Sequence, residues 1–363
     1  FNRIGTVMPN GVNLTGLGGG PTDNATNSTS QGALIVPMPD SAGKYYIFSL
    51  TAVDQPANKR GKLFYSIVNM SLAGGNGDVV AAQKSIPVDS GLTEKMIGIV
   101  GDRCNIWVLT CVRNQAVYKA YEITAAALNP VPVISNTGTP KNLSFGCLAV
   151  SPDRKLVACS EQAIFGGNNG LELSQFDAAT GQVYNAVQME PLLGYYGVCF
   201  SPDNTKLYGS SFTSVFQFDV TAANPASTKT LITGNGRNTD LQLGPDSRIY
   251  FHHSATGGNS LSYIRFPNAT GTACQPVLDT LHLPAGSTFS FGLHNQVPVM
   301  KRDTLASVQS VGAACFASQQ QLAAADINGW DYTWNTGANS SGITVTSPGT
   351  YWLHYYTGPC RYH

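Results

Sequence analysis

The stretch Leu148–Ser160, LAVSPDRKLVACS, places a Ser-Pro-Asp turn between two apolar runs. Two later segments repeat it, GVCFSPDNTKLYGSS at 197–211 and LQLGPDSRIYFHHS at 241–254. Proline at the second turn position presets φ, and the adjacent aspartate can bond its own backbone. The pattern therefore predicts a hairpin repeated once in each structural unit, not a reactive triplet.

Five repeat units of about 45 to 50 residues surround these turns. Each unit holds four short strands rich in Val, Ile, Tyr and Phe, separated by Gly, Pro, Asn or Asp. Four strands at this period are typical of one blade of a β-propeller, in which neighbouring sheets cover one another. The sequence therefore predicts an all-β fold with four-stranded propeller blades over residues 1–300.

The ends of this region suggest more than five blades. The segment FSFGLHNQV at 289–297 reads as one additional strand, and residues 1–31 resemble the tail of a preceding blade. We therefore expect six or seven blades, the first of them incomplete, with a five-bladed ring as the alternative.

Residues 301–363 differ in character from the repeats. The order Cys315, Trp334, Cys360 among alternating strands is typical of an immunoglobulin-like β-sandwich. A full module of this kind has about 100 residues, so we expect a small or truncated immunoglobulin-like module. A disulfide between Cys315 and Cys360 would cross its core.

Eight cysteines occur in the chain, with no CxxC pair and no Cys/His cluster at zinc spacing. Disulfides are the usual state in exported proteins, and buried free thiols are the alternative. If Val150 pairs with Leu156 across the first turn, Cys147 lies opposite Cys159. We expect a cross-strand disulfide there in an oxidising compartment.

The amino-acid composition indicates the environment of the protein and excludes some classes of partner. Charged residues make up 12% of the chain, about half the usual share, and 21 basic residues balance 21 acidic ones. Polar uncharged residues replace them, which is typical of a secreted protein. The sequence contains no run of basic residues and therefore does not predict a nucleic-acid partner. It contains no apolar stretch long enough for a membrane helix and therefore does not predict membrane insertion. The opening FNRIGTVMPNG lacks an initiator Met, so we expect part of a longer chain.

Several motifs, taken in their order along the chain, resemble those of a known protein family. They include GALIVPMP, YYIFSLTA, YSIVNMSLAGGNGDV, CNIWVLT, VFQFDVTA, LQLGPDSRIY and FGLHN, followed by the tail YTWNTGANSSGITVTSPGTYWLHYYTGPC. Together they resemble the propeller and Ig-like repeats of large secreted surface proteins of the Bacteroidota. Those proteins are type IX secretion cargo of the gliding-motility-associated or PKD/Ig-repeat type. The resemblance implies an extracellular, outer-surface location, with the secretion machinery and further domains of the same chain as partners.

The resemblance also implies a host that glycosylates Asp-Ser/Thr-aliphatic sites. Ser41, Thr280 and Thr304 fit this pattern. The pattern is short and also recurs by chance, so an unmodified side chain is the alternative at each position.

No reactive constellation is visible in the sequence. The GxSxG, HExxH, GxxxxGK[ST] and EF-hand patterns are missing, and we predict no catalytic residue, metal site or cofactor. His252 and His253 are adjacent on a predicted strand and point to opposite faces, so they cannot jointly bind one metal ion. Trp330 follows Asn-Gly in a predicted turn and is the candidate for stacking on a ligand.

These observations favour a non-catalytic cell-surface protein. Its propeller would serve as a rigid display or binding platform in adhesion or surface structure, with a surface glycan or protein as ligand and the Ig-like module as spacer. One alternative is an extracellular propeller enzyme, a glycosidase or lyase acting on polysaccharide. Another is a structural subunit of an extracellular filament or complex.

Overall fold

A computed structural model describes residues 1–15, 29–142, 145–162, 170–236, 238–253, 260–284, 292–293, 295, 297, 319–323, 331–347 and 349–356. The chain divides into two compact units, Phe1–Pro298 and Val299–Arg361. None of the helices in the described ranges has the length and apolar character needed to cross a membrane.

The first unit contains five antiparallel sheets, each forming one blade. Blade one comprises β1 (Ala33–Pro37), β2 (Lys44–Leu50), β3 (Leu63–Asn69), β4 (Asp78–Val79) and β5 (Ile86–Asp89), and β3 pairs with both short outer strands. Blade two comprises β6 (Leu92–Val100), β7 (Ile106–Val112), β8 (Val117–Ile123) and β9 (Val133–Asn136).

The next three blades repeat the same strand order. Blade three comprises β10 (Leu148–Val150), β11 (Leu156–Ser160), β12 (Leu171–Asp177) and β13 (Gln182–Glu190). Blade four comprises β14 (Val198–Phe200), β15 (Lys206–Ser210), β16 (Val215–Asp219) and β17 (Thr230–Thr233). Blade five comprises β18 (Asn238–Leu243), β19 (Ile249–His253), β20 (Ser260–Ile264) and β21 (Pro276–His282).

Helical segments in the described ranges are single turns within connections. They are α1 (Leu72–Gly75), whose Ala73 and Gly74 have positive φ, and 3₁₀ turns at Ala81–Gln83, Pro225–Thr228 and Gly271–Cys274. The prediction of an all-β propeller with four-stranded blades is therefore confirmed.

Strand β7, IWVLTCV, illustrates how the blades pack. Every one of its residues is buried. Ile106 and Val108 join the cluster shared with blade one, whereas Trp107 and Leu109 join the cluster shared with blade three. Because successive side chains on a strand point to opposite faces, a strand between two sheets is buried on both faces, and six of the seven residues of β7 are apolar.

Four hydrophobic clusters fill the spaces between successive blades, from one–two to four–five. Enclosed aromatic side chains in these clusters include Phe48, Trp107, Phe200, Phe218 and Phe251. Blades two, three and four thus contribute both faces to these clusters, one to each neighbour.

The Ser-Pro-Asp turn forms the predicted hairpin. Arg154 N donates to Ser151 O at 2.8 Å, which closes a β-turn, and Asp153 Oδ1 accepts from Ser151 Oγ and Lys155 N. Arg154 has φ 63°, so a left-handed residue follows the turn and matches its twist to the strands. The turn also links blades, because Asp153 N donates to Asn204 Oδ1 in the turn of blade four.

A buried serine nine positions after the turn serine connects blade three to blade four and blade four to blade five. Ser160 Oγ accepts from Cys147 N at 2.8 Å and donates to Tyr196 O. Ser210 Oγ likewise accepts from Gly197 N at 3.0 Å and donates to Thr239 O in blade five. We call Ser160 and Ser210 the serine latches.

The expectation of six or seven blades, the first incomplete, is not supported, because the described residues form five. Residues 1–15 contain no strand, and Met8 packs instead on Val68 and Val79 of blade one. In the segment predicted as an extra strand, Leu293 N donates to Asp240 Oδ2 of blade five and Asn295 Nδ2 to Met96 O of blade two. The residues described there contact existing blades.

The proposed Cys147–Cys159 disulfide is wrong. Val150 pairs with Val157, not Leu156, because the left-handed residue Arg154 lengthens the hairpin by one position. A one-residue change in register turns a side chain to the other face of the sheet. Cys147 therefore packs toward blade four and Cys159 toward blade two, and both thiols are free.

The second unit contains two pairs of antiparallel strands in its described part. Strand β22 (Gln320–Ala323) pairs with β24 (Gly342–Val345), and β23 (Asp331–Trp334) pairs with β25 (Leu353–Tyr356). Trp334 is buried, as expected for a core position. Cys315, Cys360, Thr304 and Trp330 lie outside the described residues, so the predicted disulfide and the immunoglobulin-like assignment stay predictions.

The serine latch predicts a stability loss for Ser210→Ala. The change leaves Gly197 N without its acceptor and Thr239 O without its donor in a buried site, which costs about 1–3 kcal/mol of unfolding free energy. Urea unfolding measures this loss. Ser227→Ala is the control, because Ser227 is exposed and its hydroxyl bonds only locally, and we expect a change within about 0.5 kcal/mol. Equal losses in both variants would contradict the latch.

Candidate functional site

A cleft of about 780 Å³ opens beside the junction of blades one and two. Its lining comes from the β2–β3 loop, the linker between the blades, the β7–β8 turn and the outer strand β9. These residues are Ala57, Asn58, Arg60, Lys62, Ser90, Gly91, Leu92, Val112, Arg113, Asn114, Gln115, Val117, Lys119, Ile134 and Asn136. The volume is within the usual range for small-ligand sites.

Gly61 sets the position of the β2–β3 loop at this cleft. It has φ 59°, and Leu92 N donates to Gly61 O at 3.0 Å. A Cβ at this position would lie 2.3 Å from Leu92 O, so only glycine allows the loop to approach the first strand of blade two. The flanking residues Arg60 and Lys62 are thereby held against the cleft.

Positive charge is concentrated in the lining. Within the described part of the chain, the side chains of Arg60, Lys62 and Arg113 have no ion-pair partner. The fourth cation, Lys119, pairs with Asp89 at 2.6 Å. No Asp or Glu occurs among the described lining residues. The cleft therefore carries a local cationic field in a chain whose formal net charge is zero.

The main chain at Arg113 is anchored beside the cleft. It is held between blades, because Arg113 N donates to Gly91 O at 2.9 Å and Asn114 N donates to Lys141 O at 3.0 Å. The Nε atom is buried and has no hydrogen-bond acceptor among the described residues. A guanidinium held in this way still has donors to offer to a carboxylate or sulfate.

Amide groups complement the cations around the cleft. Asn58, Asn114, Gln115 and Asn136 line it and are exposed. An amide offers both donors and an acceptor, which suits hydroxyl groups of a ligand. Ile134, which is 55% exposed, adds an apolar surface at one edge.

A second cleft, of about 800 Å³, lies at the turns of blades four and five. It contains the exposed Phe266 together with Arg265, and its acidic and basic groups Asp246 and Arg248 lie 3.6 Å apart. Arg248 also stacks over the Tyr263 ring. Asp246 thus compensates Arg248, and Arg265 is the one cation of this cleft without an ion-pair partner among the described residues, against three in the first cleft.

A buried ionic network separates blades two and three. Lys141 Nζ contacts Glu172 Oε1 at 2.9 Å, and Tyr118 donates to the same oxygen at 2.5 Å. Lys95 Nζ lies 3.4 Å from Glu161 Oε1, with both side chains almost completely enclosed. Buried charges need such partners, since an isolated one is strongly destabilising.

Three carboxyl groups on the inner strands and their linkers have raised pKa values. Burial raises the pKa of Glu94 to about 7, that of Glu161 to about 7 and that of Asp240 to about 6. Backbone N–H groups of Ser30 and Val53 bind Glu94 and partly oppose this effect. None of the three is more than 9% exposed, so they are enclosed groups without access to a large substrate.

The other predicted positions are dispersed over the fold. Ser41 is partly exposed in the β1–β2 turn, and Thr280 is exposed on the outer strand β21. His252 and His253 are buried, and His253 lies between Asp279 and Gly234 O. No metal-binding group of residues is present in the described ranges. Sequence reasoning missed the basic cleft, because its cations come from separate loops and form no motif.

No protein-family model and no curated protein matches the sequence. Among solved structures, a functionally unknown protein from Desulfotomaculum acetoxidans matches 73% of this chain and 75% of its own, with 13% identity and TM-score 0.41. A protein of unknown function from Bacteroides thetaiotaomicron matches 73% and 64%, with 12% identity and TM-score 0.38. Virginiamycin B lyase from Staphylococcus aureus matches 66% and 83%, with 14% identity and TM-score 0.34. These distant likenesses assign no function to this chain.

Glu94 predicts a dependence of stability on pH. Its folded pKa of about 7 exceeds the ordinary value of 4.5, so the folded state retains a proton that the unfolded state has released. Its contribution therefore falls as pH rises from about 4.5 to about 7. Unfolding free energies measured in urea at about pH 5.5 and about pH 7.5 should differ less in Glu94→Gln than in the wild type.

Glu190→Gln is the matched control for this experiment. Despite some burial, hydrogen bonding to Lys229 lowers the pKa of Glu190, so its contribution is complete above its ordinary pKa and is lost only in more acidic solution. Its removal should leave the pH dependence in the tested window unchanged. An unaltered dependence in Glu94→Gln would show that Glu94 does not carry the effect.

Proposed function

We propose that this chain is a non-catalytic extracellular binding protein that holds an acidic glycan in the cleft beside blades one and two. The observation that carries the proposal is the set of Arg60, Lys62 and Arg113, three cations without ion-pair partners among the described residues, around a cleft of about 780 Å³. Unpaired cations are expected at a binding site whose ligand supplies the negative charge.

The remaining lining supports a sugar acid over other anions. Exposed amides at Asn58, Asn114 and Asn136 can bind hydroxyl groups, and Arg113 can bind a carboxylate or sulfate. The described lining contains no aromatic side chain on which a nucleic-acid base could stack. A polysaccharide bearing one acidic group on each repeat unit has the matching chemistry.

A binding role agrees better with the cleft than a hydrolytic one. Glycosidases need two carboxyl groups that flank the scissile bond, and the described lining supplies none. Asp89, the acidic group close to it, is engaged by Lys119 and Tyr121. The alternative of a polysaccharide glycosidase or lyase remains a separate proposal, and an assay for release of reducing or unsaturated sugar ends tests it directly.

The cellular setting is part of the same proposal. Low charge content and an even number of cysteines support export. The resemblance of the ordered motifs supports a type IX-exported surface protein of the Bacteroidota. In that setting the second unit would be an Ig-like spacer, and Ser41 and Thr280 would be accessible to glycosylation. The alternative role is that of a structural subunit of a surface filament.

Calorimetric titration with oligogalacturonate, with a sulfated chondroitin fragment and with a neutral cello-oligosaccharide tests the binding proposal. We expect the acidic ligands to bind and the neutral one to fail. Affinity should fall with added salt, because the contacts are ionic. Binding of the neutral oligosaccharide with equal affinity would contradict the proposal.

Charge-removing variants locate the site. Lys62→Gln and Arg113→Gln should each weaken binding of the acidic ligand about tenfold, the loss expected for one charge-assisted hydrogen bond. Lys155→Gln is the matched control, because Lys155 is exposed in the turn of blade three. A loss of the same size in the control would indicate a general charge effect and exclude this cleft as the site.

A further inference from the structure

Two cysteines from neighbouring blades share one enclosed site. Cys111 lies on β7 in blade two and is 0% exposed, and Cys159 lies on β11 in blade three and is 2% exposed. Both belong to the hydrophobic cluster between these blades, and both are free thiols. This location differs from the cleft and does not depend on its ligand.

The strand registers indicate that the two cysteines face each other. Cys111 lies opposite Tyr118 on β8, and Cys159 lies opposite Glu172 on β12. Tyr118 donates a hydrogen bond to Glu172 Oε1 at 2.5 Å, so the partner of one cysteine contacts the partner of the other. The Cys159 thiol donates to Ser160 O at 3.9 Å, and the interaction between the two thiol groups lowers the pKa of Cys159 and contributes to the raised pKa of Cys111.

Cys111 and two enclosed lysines together make Cys159 the more acidic thiol. Lys95 is 0% exposed and Lys141 is 1% exposed. The interaction with Cys111, together with the charges of Lys95 and Lys141, lowers the pKa of Cys159 to about 6. The pKa of Cys111 is raised well above its ordinary value, mainly by burial. One thiolate beside one thiol is the arrangement of a dithiol that can be oxidised.

We propose that Cys111 and Cys159 form an oxidisable dithiol, which a small peroxide converts into a disulfide between blades two and three. The Cys159 thiolate attacks one peroxide oxygen, the O–O bond breaks, and the departing hydroxide takes a proton to become water. The Cys111 sulfur then displaces the hydroxyl from the Cys159 sulfenic acid, and its own proton leaves with that hydroxyl as a second water. Two thiols are oxidised and one peroxide is reduced.

Differential alkylation of the wild-type protein tests this inference. The protein, with its free thiols reduced, is treated with hydrogen peroxide in native buffer, alkylated and digested with trypsin and a glutamate-specific protease. The second protease is needed because Glu161, Glu172 and Glu190 separate Cys159 from Cys199. We expect a peptide linked through Cys111 and Cys159, with fragmentation distinguishing Cys111 from the nearby Cys104.

Two of the three other enclosed thiols, Cys199 and Cys274, serve as internal references. They should remain alkylatable after unfolding, because the described structure places no thiol partner beside them. The inference is overturned if Cys111 and Cys159 stay reduced to the same extent as Cys199. It is equally overturned if peroxide produces only sulfinic or sulfonic acids on them.

A thermal readout tests the location of the link independently. The disulfide would close a loop of about 48 residues, so Tm should rise by about 5 °C on oxidation and return after reduction. Cys159→Ser should abolish the rise, and Cys199→Ser should retain it. A rise that persists in Cys159→Ser would overturn the inference. If Cys159→Ser does not fold, the alkylation result on the wild type decides.

Discussion

A four-stranded sheet has two apolar faces, and neither can be buried within its own blade. Packing a sheet between two others removes both faces from water, and the four clusters show this arrangement for blades two, three and four. The fully buried strand β7 is its direct consequence. The blades are therefore stable as a set, because the loss of one would expose a face on each neighbour.

Polar groups between the blades are compatible with this core because they are paired. The serine latches use one hydroxyl as both donor and acceptor between two main chains. Lys141 and Lys95 each have an enclosed glutamate beside them. Such pairs add little net stability over apolar packing, but they are costly to break and so favour one arrangement of the blades. They also place titratable groups and thiols between the blades, where burial shifts their pKa values most.

In a fold of this kind, the ligand is recognised by the loops that connect the strands and not by the strands of the core. The cleft at blades one and two is assembled from two loops, one linker and an edge strand, while the adjoining sheets hold them in place. Gly61 shows the coupling, since the approach of its loop to Leu92 is possible only without a side chain. The same core therefore permits different ligand chemistry wherever loop residues change.

Local sequence determined much of this protein. Proline, aspartate and alternating apolar residues are sufficient to specify the hairpins, the strands and the repeat, because they act within a few residues of one another. Register, blade number and site were decided by the tertiary structure. The left-handed Arg154 shifts the pairing by one residue and separates Cys147 from Cys159. Arg60 and Arg113 meet at one cleft, and Cys111 meets Cys159, only because the sheets pack face to face. Such contacts between distant segments leave no pattern in the linear chain.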